Sequence, residues 1–259
     1  MPHPRRRGLW PALPLLGLIL LPAGVGAQDA DGWITAAEAY RRPHRPDSAL
    51  AILSRGLDVE PGTYALLWRA AREAVSSAML AEGEARARGF ATAVELGRRA
   101  VAVRPEGTEG RAWLAAALGR HALDQGARTR VQMANEIYRL ATAVVEVEPT
   151  NGVAQHVLGQ WHAEVLRANR LTRFLARSLL GGDTFSQASW EEAVAHLEAS
   201  VRAEPWALIH GLELARVYHE VGRSDEARRE LERILALPDS EATDPQHRDR
   251  AERLLGEMR

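Results

Sequence analysis

Five prolines punctuate this chain and restrict what it can fold into. Pro61, Pro105, Pro149, Pro205 and Pro238 close five comparable phrases: ALAILSRGLDVEP, ATAVELGRRAVAVRP, ANEIYRLATAVVEVEP, WEEAVAHLEASVRAEP and EARRELERILALP. Each phrase carries apolar residues at helical spacing. Proline has no backbone N–H, and its ring clashes with the preceding turn, so a helix stops there. The interval averages about 44 residues, a period typical of stacked helical repeats. No stretch alternates apolar and polar residues as a half-buried strand would. Such a chain builds successive helix pairs, each unable to bury its apolar face without a neighbour.

The residues within the phrases name the kind of pair. Trp33, Ala36, Ala37 and Tyr40 precede Ala49, Leu53, Gly56 and Pro61. Near the end, Leu214, Ala215 and Tyr218 precede Gly222, Ala227, Leu231, Ile234 and Pro238. Small residues at fixed points let the facing helix seat a large side chain. This is the tetratricopeptide pattern, stretched beyond its minimal unit of about 34 residues. Leu118-Gly119 and Leu158-Gly159 supply the large-small pair of a first helix in the middle repeats. The expected fold is all-α: a tetratricopeptide-like right-handed superhelix of about five helix hairpins plus a C-terminal capping helix. Ser189 with Glu192 forms a capping box. Ser224 is placed to cap the helix through Leu235. Asp244-Pro245 reads as an N-cap followed by Pro at N1 of a last helix through Glu257. Its face of Arg248, Arg250, Glu252 and Arg253 is polar, and its face of Ala251, Leu254 and Leu255 is apolar.

Residues 1–27 read as a secretory signal and residues 28–259 as the repeat domain. Arg5, Arg6 and Arg7 precede an apolar run from Leu9 to Leu21, and Val25-Gly26-Ala27 suits cleavage near Ala27. The run is short for a membrane span and is interrupted by Pro11 and Pro14. The expectation is an exported protein, periplasmic or secreted; the alternative is a membrane anchor formed by an uncleaved N-terminus. The chain of 259 residues has no cysteine, which excludes disulfides, thiolate metal ligands and thiol nucleophiles. All 33 basic residues are arginine, and the net charge of −1 offers no global field for nucleic acid.

The phrases LLWRAAREA, RAWLAAALGR, HVLGQWHAEV and LTRFLARSLLGG, leading into ASWEEAVAHLEAS, resemble the tetratricopeptide domain of the regulator of microtubule dynamics family. The resemblance runs from Leu67 to Glu257. Eukaryotic members of that family are membrane-anchored proteins linked to microtubules and organelle contacts. The resemblance implies a helical binding platform with no catalytic centre. An export signal departs from the eukaryotic pattern and argues against carrying over the microtubule role.

In a curved repeat array, first helices line the concave wall. The large-small pairs set their register and turn Arg72, Arg120, Gln160 and Arg216 toward the groove. Trp68 and His156 precede the small residue by three. Val75, Leu123, Ala163 and His219 follow it by four. Arginine in a partly enclosed groove suits bidentate recognition of carboxylate. The expected partner is therefore a protein or peptide of acidic character. Internal pairing of the same arginines with neighbouring glutamates is the competing reading. A second candidate is the basic amphipathic stretch Arg167, Arg170, Arg173, Phe174 and Arg177, suited to an anionic membrane or a partner helix. A solvated arginine face is the favoured reading of that stretch. A lipid- or membrane-associated binding module is the alternative function.

Catalytic motifs are missing: there is no phosphate loop, HExxH pair or nucleophile elbow. No cofactor is expected. His156 and His162, six residues apart, fall on different helix faces, and His210 and His219 are poorly matched for chelation. No metal site is therefore expected.

Overall fold

The computed structural model describes residues 29–41, 44–168 and 183–258, and among these every regular element is a helix. The five proline-closed phrases become the second helices of five hairpins. These are α1 (Ala30–Glu38) with α2 (Pro46–Val59), α3 (Tyr64–Leu80) with α4 (Gly83–Val103), and α5 (Thr108–Ala122) with α6 (Ala127–Val147). Then come α7 (Gly152–Arg167) with α9 (Trp190–Ala203), and α10 (Leu208–Glu220) with α11 (Ser224–Leu235). A short helix, α8 (Asp183–Ser186), precedes α9, and α12 (Asp244–Glu257) closes the array. First helices pack on one another in sequence, α1 on α3, α3 on α5, α5 on α7, α7 on α10 and α10 on α12, forming one continuous inner wall.

Four of the prolines produce the same turn. The residue before each, Glu60, Arg104, Glu148 and Glu204, leaves the helix with φ between −126° and −136° and ψ between 71° and 89°. That is the extended geometry a following proline imposes. Its carbonyl then accepts from the N–H three residues on: Thr63, Gly107, Asn151 and Ala207, at 3.0–3.2 Å. The next first helix begins at once. Pro238 differs, because α11 ends at Leu235 in a C-cap at Ala236 and a longer connector follows.

Close approaches within hairpins depend on small residues. A Cβ on Gly56 would stand 2.8 Å from Cγ of Trp33, and one on Gly159 would stand 2.5 Å from Cγ of Leu197. Gly119 faces open space, while Ala115, Ala117 and Leu118 on the same helix are fully buried. Leu66, Leu67, Ala70, Phe90, Ala93 and Leu118 anchor a core that extends through the first three hairpins and into α7. Smaller clusters around Leu197 and Leu231 continue it to the end.

Capping agrees in part with the sequence. Ser189 Oγ accepts from the Glu192 N–H at 3.0 Å, as expected. Ser224 is instead the first residue of α11, whose N-cap Arg223 makes no side-chain cap. Asp244 opens α12, but its carboxylate turns backward and accepts from Ser240 N and Glu241 N at 2.7 and 2.8 Å. It thereby orders the connector that carries Glu241. Ala251 of α12 is buried against α10 and α11, as a capping helix should be. The signal expected for residues 1–27 lies outside the described residues. No described helix is long and apolar enough to cross a membrane.

Candidate functional site

The residues placed at the groove by the sequence lie on the first helices or at their ends, and their environments differ. Arg72 is 12% exposed at its side chain and fully engaged: its Nη2 donates to Glu38 at 2.8 Å and its Nε to Glu73 at 2.8 Å. Glu73 and Glu38 outweigh burial and raise its pKa. Trp68 is half-buried beneath Arg69, whose guanidinium sits 4.1 Å from the ring centroid. Arg216 lies between Glu213 and Glu220 at 3.7 and 3.5 Å. His219 is exposed, and Gln160 is half-buried. Val75 and Ala163 belong to the core, while Leu123 is exposed.

Arg120 stands apart. It is half-buried near the end of α5, and among the described residues its side chain has no hydrogen-bond or ion-pair partner. Burial pushes its guanidinium below the usual arginine range; Glu213 opposes that shift, and Arg250 and Arg86 reinforce it. An anion placed against Arg120 would restore what burial removes.

Beside it lies a group the sequence did not assemble. His156, His210 and His247 are each under 8% exposed, on α7, α10 and α12. The His156 and His210 rings are 4.7 Å apart between centroids. His210 Nε2 meets Glu204 Oε2 at 2.9 Å, but Nδ1 of His156, Nδ1 of His210 and both nitrogens of His247 are buried without a partner. Burial, then Arg120 and Arg250, push His247 down to about 3. Burial, then His210 and Arg120, hold His156 well below its usual value. Both shifts favour neutral rings. One clue was available: His247 shares the spacing of Ala251, Leu254 and Leu255 and so falls on the apolar face of α12.

The ends of the array meet across this wall. Arg41, following α1, donates to Glu241 of the last connector at 2.6 Å and approaches Glu73 at 3.8 Å. Burial raises the Glu241 pKa against the pull of Arg41. Hairpins at opposite ends of the sequence thus share one polar lining with the start of α12.

Of the basic stretch, Arg167 is described and is held by its neighbours. Its guanidinium donates to Glu164 at 2.6 Å and to Glu220 at 2.7 Å. Arg170, Arg173, Phe174 and Arg177 lie outside the described residues. A cavity of about 820 Å³ opens away from the inner wall, beside Arg98, Gln132, Asn135, Arg139 and Thr184. It had no sequence signature, because its lining comes from the polar flank of α6 with one residue each from α4 and α8.

The chain is similar to several solved structures. A thermophilic TPR protein of Thermus thermophilus superposes with a TM-score of 0.61 at 19% identity, covering 87% of this chain and 98% of its own. MamA of Desulfovibrio magneticus gives 0.45 at 14% identity, covering 83% and 97%. YrrB, a TPR protein with an unusual peptide-binding site, gives 0.41 at 15% identity, covering 88% and 93%. No curated protein sequence matches the chain. The family described as regulator of microtubule dynamics protein 1-3 matches residues 33–259, which reach into every hairpin and include the closing helix. Since that match spans far more than half of the sequence, the chain belongs to the regulator of microtubule dynamics protein 1-3 family.

Proposed function

We propose that this protein is a non-catalytic interaction scaffold whose inner wall receives an acidic peptide segment, with Arg120 as the receiving cation. The observation that carries this reading is the contrast between arginines. Arg72, Arg167 and Arg216 spend their charge on Glu38, Glu73, Glu164, Glu213 and Glu220, while Arg120 has no such partner among the described residues. A carboxylate presents two acceptor oxygens to the planar guanidinium fork, and that pairing is stronger where water is partly excluded. Arg86 and Arg250 add long-range attraction, and Glu213 limits how much negative charge the site tolerates. A single terminal or side-chain carboxylate fits that balance better than a phosphate cluster.

An inner-wall site of this kind needs no reacting group, and the neutral, buried histidines near it are poor proton donors at neutral pH. The export signal read in residues 1–27 would put the partner in the periplasm or outside the cell, as part of the same proposal.

A peptide library with free C-termini, panned against the purified full chain, tests it. Enrichment of sequences ending in or rich in Asp and Glu is expected. Arg120→Gln should weaken the selected peptides by 10-fold or more, while Arg72→Gln on the inner wall tests a charge already spoken for. Equal binding by the Arg120→Gln protein, with helicity retained, would overturn the reading.

A further inference from the structure

We infer that the fourth hairpin carries a divalent transition-metal site of the zinc class, formed by His162, Glu192 and His196. One ligand atom from each of these residues lies within 4.8 Å of the other two. His162 comes from α7, and Glu192 and His196 stand one turn apart on α9. The site is separate from the inner-wall cluster and independent of the proposed peptide.

The surroundings prepare His196 as a ligand. Gln155 donates its amide N–H to the Pro149 carbonyl at 2.8 Å, which leaves its Oε1 facing His196 Nδ1 at 2.6 Å. A carbonyl oxygen only accepts, so His196 Nδ1 carries the proton and Nε2 keeps its lone pair. An outer acceptor fixing the ring tautomer in this way is the recurring support of a metal-bound histidine. That Nε2 faces Glu192 Oε2 at 3.7 Å, too far for a hydrogen bond. Ligands about 2.1 Å from a tetrahedral ion stand roughly 3.4 Å apart, so the gap suits a shared cation.

Glu192 is also free from its usual duty. In a complete capping box it would accept from the Ser189 N–H. Here that N–H turns to His162 Nδ1 at 3.4 Å, a long bond that an ion would replace at the same lone pair, and the Glu192 carboxylate lies toward His196. His162 is 3% exposed, and the His162 and His196 rings stack with centroids 5.6 Å apart. Two imidazoles and one carboxylate form the donor set zinc accepts when it keeps a fourth position for water. Glu192 is exposed and leaves that position open to solvent. A metal here would tie α7 to α9 across the longest connection of any hairpin, turning a helix contact into a clamp.

The test uses the full chain without a histidine tag. One equivalent of Co(II) should give the intense visible d–d bands of a four-coordinate N/O site, and Zn(II) should displace them at 1:1 stoichiometry. His196→Ala and Glu192→Gln, both on the accessible side of α9, should each lower Zn(II) affinity 10-fold or more in calorimetry. Gln155→Leu should lower it by about 10- to 100-fold through loss of tautomer control. Zn(II) should raise the melting temperature of the wild-type chain and leave that of His196→Ala unchanged. Octahedral Co(II) spectra, or Zn(II) binding undiminished in the His196→Ala/Glu192→Gln double variant, would overturn the assignment.

Discussion

The first three hairpins and the last two with their closing helix follow the same repeat but are held together differently. From Tyr64 to Val144 the interior is carbon: Leu66, Leu67, Ala70, Phe90, Ala93 and Leu118 are fully or almost fully buried. Among the described residues, nine of the ten buried polar side chains lie from Gln155 onward. The exception, Glu73, is neutralised by Arg72. The second half therefore keeps titratable groups inside, several with orphaned nitrogens, where carbon would stabilise more. Stability alone does not select that arrangement, and the proposed metal site draws on it.

Substitutions test this contrast. The largest effect expected is in the carbon half: Phe90→Ala should cost about 3–5 kcal/mol in chemical denaturation. The mirror change, His247→Leu, should be neutral or stabilising by roughly 1 kcal/mol, since it removes two unsatisfied nitrogens at similar volume. A marked loss in His247→Leu would mean that an unseen partner holds that ring.

Acid should separate the halves. His156, His162 and His247 stay neutral when folded but take up protons near pH 6.5 when unfolded. The unfolded state thus binds more protons below that value. Their contribution is complete above about pH 6.5 and is lost as pH falls toward the folded values of about 4 and 3. The upper limit is about 1.4 kcal/mol per pH unit for each ring. Hydrogen exchange at stepped pH should show α7, α10 and α12 opening first. Uniform loss across the chain would erase the distinction.

Charge gives the next contrast. Arg72→Met leaves the buried Glu73 with only the 3.8 Å approach of Arg41 and should cost roughly 3 kcal/mol. Arg120→Met strands no ion-pair partner and should leave the melting temperature within a few degrees. Equal losses would mean that Arg120 is structural and would remove the basis for the peptide site.

Glycine gives the smallest test. Gly159→Ala must displace Leu197 and should cost about 1–3 kcal/mol. Gly119→Ala meets nothing and should gain up to about 1 kcal/mol from helix propensity. The two sites carry the same sequence motif in neighbouring hairpins, so the opposite signs measure packing alone.

Local rules made the repeats legible. A proline, a capping serine and a 3.6-residue period act within a few residues, and Pro61, Pro105, Pro149 and Pro205 produce one turn four times over. The same reach explains why Ser189 caps its helix as the local pattern predicts and why Asp244, which answers to its connector, does not. By itself the sequence determined that this chain is a stack of proline-closed helix hairpins. Only the tertiary structure decided which arginines are engaged, that Arg41 meets Glu241 from the far end, and that His162 faces Glu192 and His196. Such pairings depend on the rotation and crossing of helices tens to hundreds of residues apart. A shift of one residue in register turns a side chain by about 100°, so no local pattern encodes them.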